Sequence, residues 1–350
     1  MTSHQGSPPL PLTTEQVLRY RARVSHLDTR LEVGAVAAAA WGGLQDTAPR
    51  AGVLALHARV EGTLPGTWED PSLAQIWFRG GADYIVPRAD VGVFTLGSYP
   101  RDPARAAALE AIADDLHRAT GGAPTLTRDL PRDLGGAPFA VRRASVTGRV
   151  LIRWDASNTW VIPAARPAVD PEAARLELGR RFLHWLAPRT RDDLARWTGV
   201  DPRDARATWQ ALEPEMEPVS VAGIDEERFV LAADVEALGR AEPIVGVRLL
   251  PQDDPFTKLD HELLLADVDL RLRALPRVGA SPGYIPGVLL VDGEVAGAWQ
   301  RQGRAVTIHP FRAPTAAVRA AAEAEALGLP IAGPAEANVR WDPAPMTRRR

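Results

Sequence analysis

The chain has 350 residues and a mass of 37.8 kDa, room for about two or three packed units. It has no cysteine, which excludes a disulfide framework, thiolate-bound zinc, an iron–sulfur cluster and a Cys nucleophile, and points to a cytoplasmic protein. A net charge of −3 and a pI near 6.2 argue against a surface that binds polyanions everywhere, and no apolar run is long enough for a membrane span or a secretion signal.

Met1–Leu12 reads as a disordered lead-in. Thr13-x-x-Gln16 is a capping box for a helix carrying Val17, Leu18, Val24 and Leu27. An Ala-rich helix is expected over Glu32–Trp41, ended by Gly42-Gly43. The loop Leu44–Ala48 then leads to Pro49, placed as the first residue of a helix to about Val60. Ser72–Arg79 is expected to be helical, with a short strand at Tyr84–Val86. A second unit opens at Asp102-Pro103 with a helix over Ala104–Ala119, closed by Gly121-Gly122. Short helical pieces follow at Arg128–Leu134 and Phe139–Val146. Strands at Val150–Trp154 and Thr159–Ile162 then flank Asp155–Asn158, a hairpin.

The plan repeats once more. Asp170-Pro171 opens a helix, Thr190 caps another at Leu194–Thr198 that Gly199 ends, and Asp201-Pro202 starts a third, to about Leu212. Val219–Val221 and Arg228–Leu231 read as strands around a turn at Asp225–Glu227. A short helix, a Gly turn and a second helix have helix-turn-helix spacing. After Ala241 come strands at Val245–Leu250, at Leu289–Val295 around an Asp292-Gly293 turn, and at Arg304–His309, then a helix over Pro314–Leu327. The fold class expected is α+β: tandem winged-helix units followed by a small β-rich C-terminal domain. The units fall at 13–100, 101–168, 169–240 and 241–330, with 331–350 as a tail ending in Arg348-Arg349-Arg350.

There is no G-x-x-x-x-G-K-[ST] and no G-x-G-x-x-G after a strand, so no nucleotide cofactor is indicated. Gly279-Ala280-Ser281-Pro282-Gly283 matches a nucleophile elbow in letters, but Pro282 and Pro286 make it an irregular loop. The seven histidines are scattered, and acidic pairs such as Asp253-Asp254 and Asp260-His261-Glu262 fit turns and caps better than ligands. No metal and no cofactor are expected. Of the 41 basic residues only Lys258 is a lysine. That bias suits either a GC-rich genome or arginine's fork on phosphates and bases. Gln45-Asp46-Thr47 joins two apolar helices. Its amide, carboxylate and hydroxyl are able to hold a water, or else Asp46 and Thr47 simply cap the next helix.

The order of several segments resembles the winged-helix DNA glycosylases of the AlkZ-like (YcaQ-like) family. They are Leu44-Gln45 before Pro49-Arg50, Leu54–Val60, Phe78-Arg79-Gly80, Ile85-Val86-Pro87, Asp193–Gly199, Leu249-Leu250-Pro251 before Asp254-Pro255-Phe256, and Gly287–Gly293, within roughly 13–328. The resemblance implies tandem winged helices in a C-shape and excision of alkylated or crosslinked purines from double-stranded DNA by hydrolysis. The alternative is a non-enzymatic winged-helix regulator or damage binder with a degenerate motif. The family's catalytic pattern is Gln, an apolar residue, then Gln or Asp before the Pro-Arg pair. Here it falls on Gln45, Asp46 and Thr47, a departure at the last two positions. Either Asp46 acts through a shifted loop, or Gln45 and Thr47 steer water onto a labile cationic purine, or activity is lost. Catalysis is assigned to Gln45, Asp46 and Thr47, and DNA contact to Arg50, Arg142, Arg143, Arg149, Arg153, Arg191 and Arg196, with the protein a monomer.

Overall fold

The computed structural model describes residues 9–78, 82–134, 137–240, 242–258, 264, 287–333 and 337–343. Strand β1 (Leu10–Leu12) leads into helix α1 (Thr14–Val24). Both halves of the Thr13–Gln16 capping box form: the Thr13 hydroxyl accepts the Gln16 N–H, and the Gln16 side chain accepts the Thr13 N–H. The Ala-rich stretch shortens to α2 (Val36–Ala39), and strand β2 (Leu44–Gln45) replaces the start of the expected loop. Helix α3 covers Ala51–Arg59; Arg50 precedes it in the left-handed region, φ 66°, so Pro49 is not its first residue.

Strand β3 (Leu73–Phe78) corrects the helix expected over Ser72–Arg79. All six of its residues are buried, so it shows neither an alternating nor a helical stripe, and periodicity misreads such a run. It pairs antiparallel with β4 (Ala82–Pro87) through its whole length. Helices α4 (Val91–Leu96) and α5 (Pro103–Thr120) follow, then β5 (Thr125–Leu126) and α6 (Ala137–Ala144). Strands β6 (Val150–Trp154) and β7 (Thr159–Pro163) form the expected hairpin, whose turn is held by the Asp155 carboxylate accepting the Ser157 and Asn158 N–H groups. The sheet order is β2-β4-β3-β6-β7-β5, so one sheet crosses the boundary drawn at 100/101, with Gln75 opposite Ile152 as the joining pair.

Helix α7 (Pro171–Trp185) starts on an Asp170 cap, α8 (Arg191–Thr198) on a Thr190/Asp193 capping box, and α9 (Pro202–Leu212) on Asp201. Strands β8 (Met216–Val221) and β9 (Ile224–Leu231) turn at Ala222-Gly223, where Gly223 takes φ 82°. The turn expected at Asp225–Glu227 therefore lies inside β9, because only glycine enters that conformation without a steric cost. β1 runs parallel to β8, so Leu10–Leu12 is sheet rather than disordered lead-in. After α10 (Val235–Gly239) come β10 (Val247–Leu250), β11 (Gly287–Val291), β12 (Glu294–Gln302) and β13 (Ala305–Pro310), then α11 (Ala316–Leu327) and β14 (Asn338–Trp341). Asp292 and Gly293 both have positive φ, as a two-residue hairpin turn requires. β14 pairs parallel with β13, so within the stretch 331–350 read as a tail Asn338–Trp341 is sheet. Residues 260–262, 279–283, 286 and 348–350 of the sequence reading lie outside the described residues.

The fold is mixed α and β, with its cores shared between distant segments. Val17 and Leu18 of α1 pack with Val219 and Val230 of the β8–β9 pair and with Leu250 and Leu290 of β10–β11. Ile76 and Phe78 of β3 pack with Phe182 of α7 and Trp197 of α8. Arg59 at the end of α3 forms a two-pronged ion pair with Asp254, 2.7 Å on each prong, both side chains 0% exposed. No helix of the described residues is long and apolar enough to cross a membrane.

Gly42 fixes how closely the segment before β2 approaches α7. A Cβ there would lie 1.3 Å from the Trp185 ring. Gly42→Ala is expected to cost at least the 1–3 kcal/mol typical of overpacking and to lower the melting temperature by several degrees. Gly66→Ala, with nothing within 4 Å of its added methyl, is expected to leave it nearly unchanged, and equal melting of the two variants would contradict this account.

Candidate active site and nucleic-acid interface

Three consecutive residues leave β2 with different exposures, and the backbone decides which side chain faces out. Gln45 sits opposite Tyr84 of β4 and is half-buried, Asp46 is 0% exposed, and Thr47 is exposed. The Gln45 amide is held at both ends: its Oε1 accepts the Tyr84 hydroxyl at 3.2 Å, and its Nε2 donates to Thr47 Oγ1 at 3.3 Å. Because Thr47 accepts that bond, its own O–H remains able to donate outward.

Asp46 points inward. Its Oδ1 accepts the Gly52 N–H at 2.8 Å, one of the donors at the start of α3 that no helical carbonyl satisfies. Its Oδ2 is approached at 3.4 Å by both Arg50 Nη1 and Gln75 Nε2. Burial lifts the carboxyl to about 7; Arg50, the Gly52 N–H and Gln75 oppose that rise, and Asp83 adds to it. Arg50 and Gln75 both reach onward to the hairpin. Arg50 Nη2 donates to the Trp154 carbonyl at 2.6 Å, and Gln75 Oε1 accepts the Trp154 N–H at 2.7 Å. The Asp83 carbonyl accepts the Asp46 N–H. The Asp83 carboxyl is raised to about 6 by burial, against the pull of Arg142 and the Trp77 indole. Gln75, Asp83 and Trp154 were not singled out from sequence, since sheet register rather than spacing brings them here.

The seven arginines assigned to DNA fall into separate groups. Arg50 and Arg153 both lie over Trp68, at 4.1 and 5.1 Å. Arg142 and Arg143 are exposed on α6 and line an open cleft with Phe139, Thr198 and Gly199. Arg149 is held between Glu110, at 2.9 Å, and Asp114, at 2.6 Å. Arg153 pairs with Glu69, Arg191 with Asp192 and Arg196 with Asp193. Among the described residues no three His, Asp or Glu side chains converge as metal ligands.

The raised carboxyl has a stability consequence. An unfolded aspartate ionises near pH 4, whereas folded Asp46 keeps its proton to about 7. Between those values the folded state holds one more proton, so stability from this group is complete below about pH 4 and is lost as pH rises towards 7, by a few kcal/mol at most. Asp46→Asn removes the titration. Denaturant unfolding should therefore show the variant gaining on the parent steadily from pH 4 to pH 7, and a difference that stays constant with pH would refute the raised value.

The profile of the family described as "DNA glycosylase AlkZ-like" matches residues 38–329. A curated relative, "Interstrand DNA cross-link repair glycosylase" of Streptomyces sahachiroi, is 28% identical over 167 residues. That alignment covers 44% of this chain and 43% of the relative, so the match spans less than half of either protein. The solved structure of Streptomyces sahachiroi DNA glycosylase AlkZ aligns with a TM-score of 0.73 over 95% of this chain and 100% of that one. Its identity is 19%, which speaks for the fold alone. Since the profile takes in all of the candidate site and most of the sequence, the chain belongs to the AlkZ-like DNA glycosylase family.

Proposed function

We propose that the protein is a monofunctional DNA glycosylase that hydrolyses the N-glycosidic bond of alkylated or crosslinked purines in double-stranded DNA. The observation that carries this is the hydrogen bond between half-buried Gln45 and exposed Thr47, on either side of the buried Asp46 carboxyl in the chain. The family pattern has an apolar residue in the middle position; here that inward place is taken by an acid whose oxygens meet donors from Gly52, Arg50 and Gln75. An N7-alkylated purine already carries positive charge and departs as a neutral base with the bonding pair, so no strong acid is required. The sugar becomes oxocarbenium-like. Thr47, oriented by Gln45, steers water to its C1′; as the new C–O bond forms the water gives up a proton to solvent, and the ionised, buried Asp46 supplies the compensating negative charge. The helix order α7-α8-α9 followed by the β8–β9 pair supports reading residues 169–240 as a winged helix, and the segments before it as related units on one sheet.

The second reading, a non-enzymatic damage binder, is favoured by one fact: Asp46 caps α3 and is fully enclosed. Base release from duplex DNA containing N7-methylguanine separates the two. Asp46→Asn should cost on the order of 10²-fold, Thr47→Ala less, and Thr47→Gln should raise activity. Release should climb as pH passes about 7, where Asp46 ionises, and the climb should vanish in Asp46→Asn. Equal release by the parent, Gln45→Ala and Asp46→Asn, with DNA affinity intact, would remove the loop from catalysis. No release from any of them, Thr47→Gln included, would favour the binder.

DNA affinity offers a separate check. Arg142 and Arg143 are exposed, while Arg149 is engaged by two carboxylates. Replacing Arg142 or Arg143 by Ala should each reduce the slope of log K against log salt by roughly 0.9, and Arg149→Ala should change it less. An unchanged slope in the Arg142/Arg143 double variant would place the phosphate track elsewhere.

A further inference from the structure

Beside the candidate site, five side chains from three separate segments alternate in type. Arg50 lies 4.1 Å from the Trp68 ring and 5.5 Å from Trp154. Arg153 lies 5.1 Å from Trp68 on one side and 4.7 Å from Trp160 on the other. The order is therefore Trp154, Arg50, Trp68, Arg153, Trp160. Each arginine is also held by a polar contact, Arg50 by the backbone carbonyl of Trp154 at 2.6 Å and Arg153 by Glu69 at 2.5 Å. All three indoles are half-buried, and the Arg153 side chain is 42% exposed.

We propose that this ladder is a stacking platform for unpaired bases of the DNA strand that passes the site. The inference rests on the glycosylase reading for its choice of DNA, and adds which state of the DNA the surface takes. Guanidinium planes and indole rings both offer flat, polarisable faces, and every base has a matching π-face, so such a platform is indifferent to sequence. Within a duplex the base faces are covered by their neighbours and only edges and phosphates are accessible. The inner members of the ladder cover one another's faces in the same way, so the surface left to stack is its outer end at Trp160, and a flat ring there takes a base that has left its own stack. The ladder's charge points the same way. Glu69 offsets Arg153, and the Asp155 carboxylate at the hairpin turn is kept ionised by the Asn158 and Ser157 N–H groups, which weakens the ladder as a phosphate track without touching its stacking surface. Arg128, exposed and donating to Asn158 Oδ1 at 2.9 Å, stands at the hairpin turn where a neighbouring phosphate would pass. The ladder is also wired to the site, since Arg50 reaches Asp46 and the Trp154 backbone meets Gln75.

The test is equilibrium binding, by fluorescence anisotropy, of a duplex with a three-nucleotide bulge and of a fully paired duplex of equal length. Trp160→Ala, at the outer end of the ladder, should lose about tenfold or more on the bulged duplex, within the range that loss of one stacked base produces, and change little on the paired one. Trp160→Phe, which keeps a ring, should recover most of the loss. Arg153→Gln, which opens the ladder without removing an indole, should again weaken the bulged duplex more than the paired one, so a misfolded Trp160→Ala would not end the test. Unaltered binding of both duplexes by Trp160→Ala and Arg153→Gln would make the ladder structural only. Equal losses on both duplexes would make it a general contact surface, and either result overturns the proposal. Release of N7-methylguanine by the parent protein is measured alongside. Preference for bulged DNA without any release would defeat the glycosylase reading and leave the platform standing.

Discussion

The arrangement hangs on a buried ion pair between parts of the chain far apart in sequence. Arg59 and Asp254 are enclosed, and taking two charges out of water costs several kcal/mol per ion unless each is fully hydrogen-bonded. Asp254 meets that demand with both prongs of Arg59 and the Phe256 N–H; Arg59 adds a bond to the Ala55 carbonyl and leaves only its Nε without a partner. Arg21 of α1 closes the same knot from the other side by donating to the Pro255 and Phe256 carbonyls. Three segments are thereby fixed to one another: the first helix, the helix that follows the candidate site, and the turn after β10. With α3 held at its C-terminal end by this pair and at its N-terminal end by Asp46, the short segment between β2 and α3 has little freedom. That rigidity is what a site needs if it is to place a single water.

The sequence is most legible where the interaction is local. Thr13 with Gln16, Thr190 with Asp193, Asp170-Pro171 and Asp292-Gly293 each announce a cap or turn within four residues, and each forms as read. Legibility fails where partners are remote. Leu73–Phe78 is buried on both faces by strands and helices that no local pattern names. Leu10–Leu12 and Asn338–Trp341 are polar or short enough to resemble ends, and only their parallel partners make them strands.

The candidate site divides along the same line. Gln45, Asp46 and Thr47 stood out because an amide, an acid and a hydroxyl adjoin between two apolar segments. Their exposure did not, because it depends on β2 pairing with β4, which turns Asp46 towards Gly52. The left-handed Arg50 is equally invisible to propensity, since a non-glycine residue enters that region only when its surroundings enforce it. Here the guanidinium is drawn both to Asp46 and to the Trp154 carbonyl, and Trp68 lies against it. Gln75 is a buried amide in an apolar run, and nothing in the run says that its partners are another strand's backbone and a carboxylate.

The grip on Asp46 is uneven. One oxygen is held at 2.8 Å by a backbone amide that cannot leave its helix, while the other has two donors, both at 3.4 Å, and both belong to side chains anchored on the hairpin residue Trp154. Hydrogen bonds change steeply with distance in this range. A shift of a few tenths of an ångström at the hairpin would barely alter the first contact, yet it would strengthen or release the other two together. A rearrangement of β6 would therefore reach the buried carboxyl through Arg50 and Gln75 and not through Gly52.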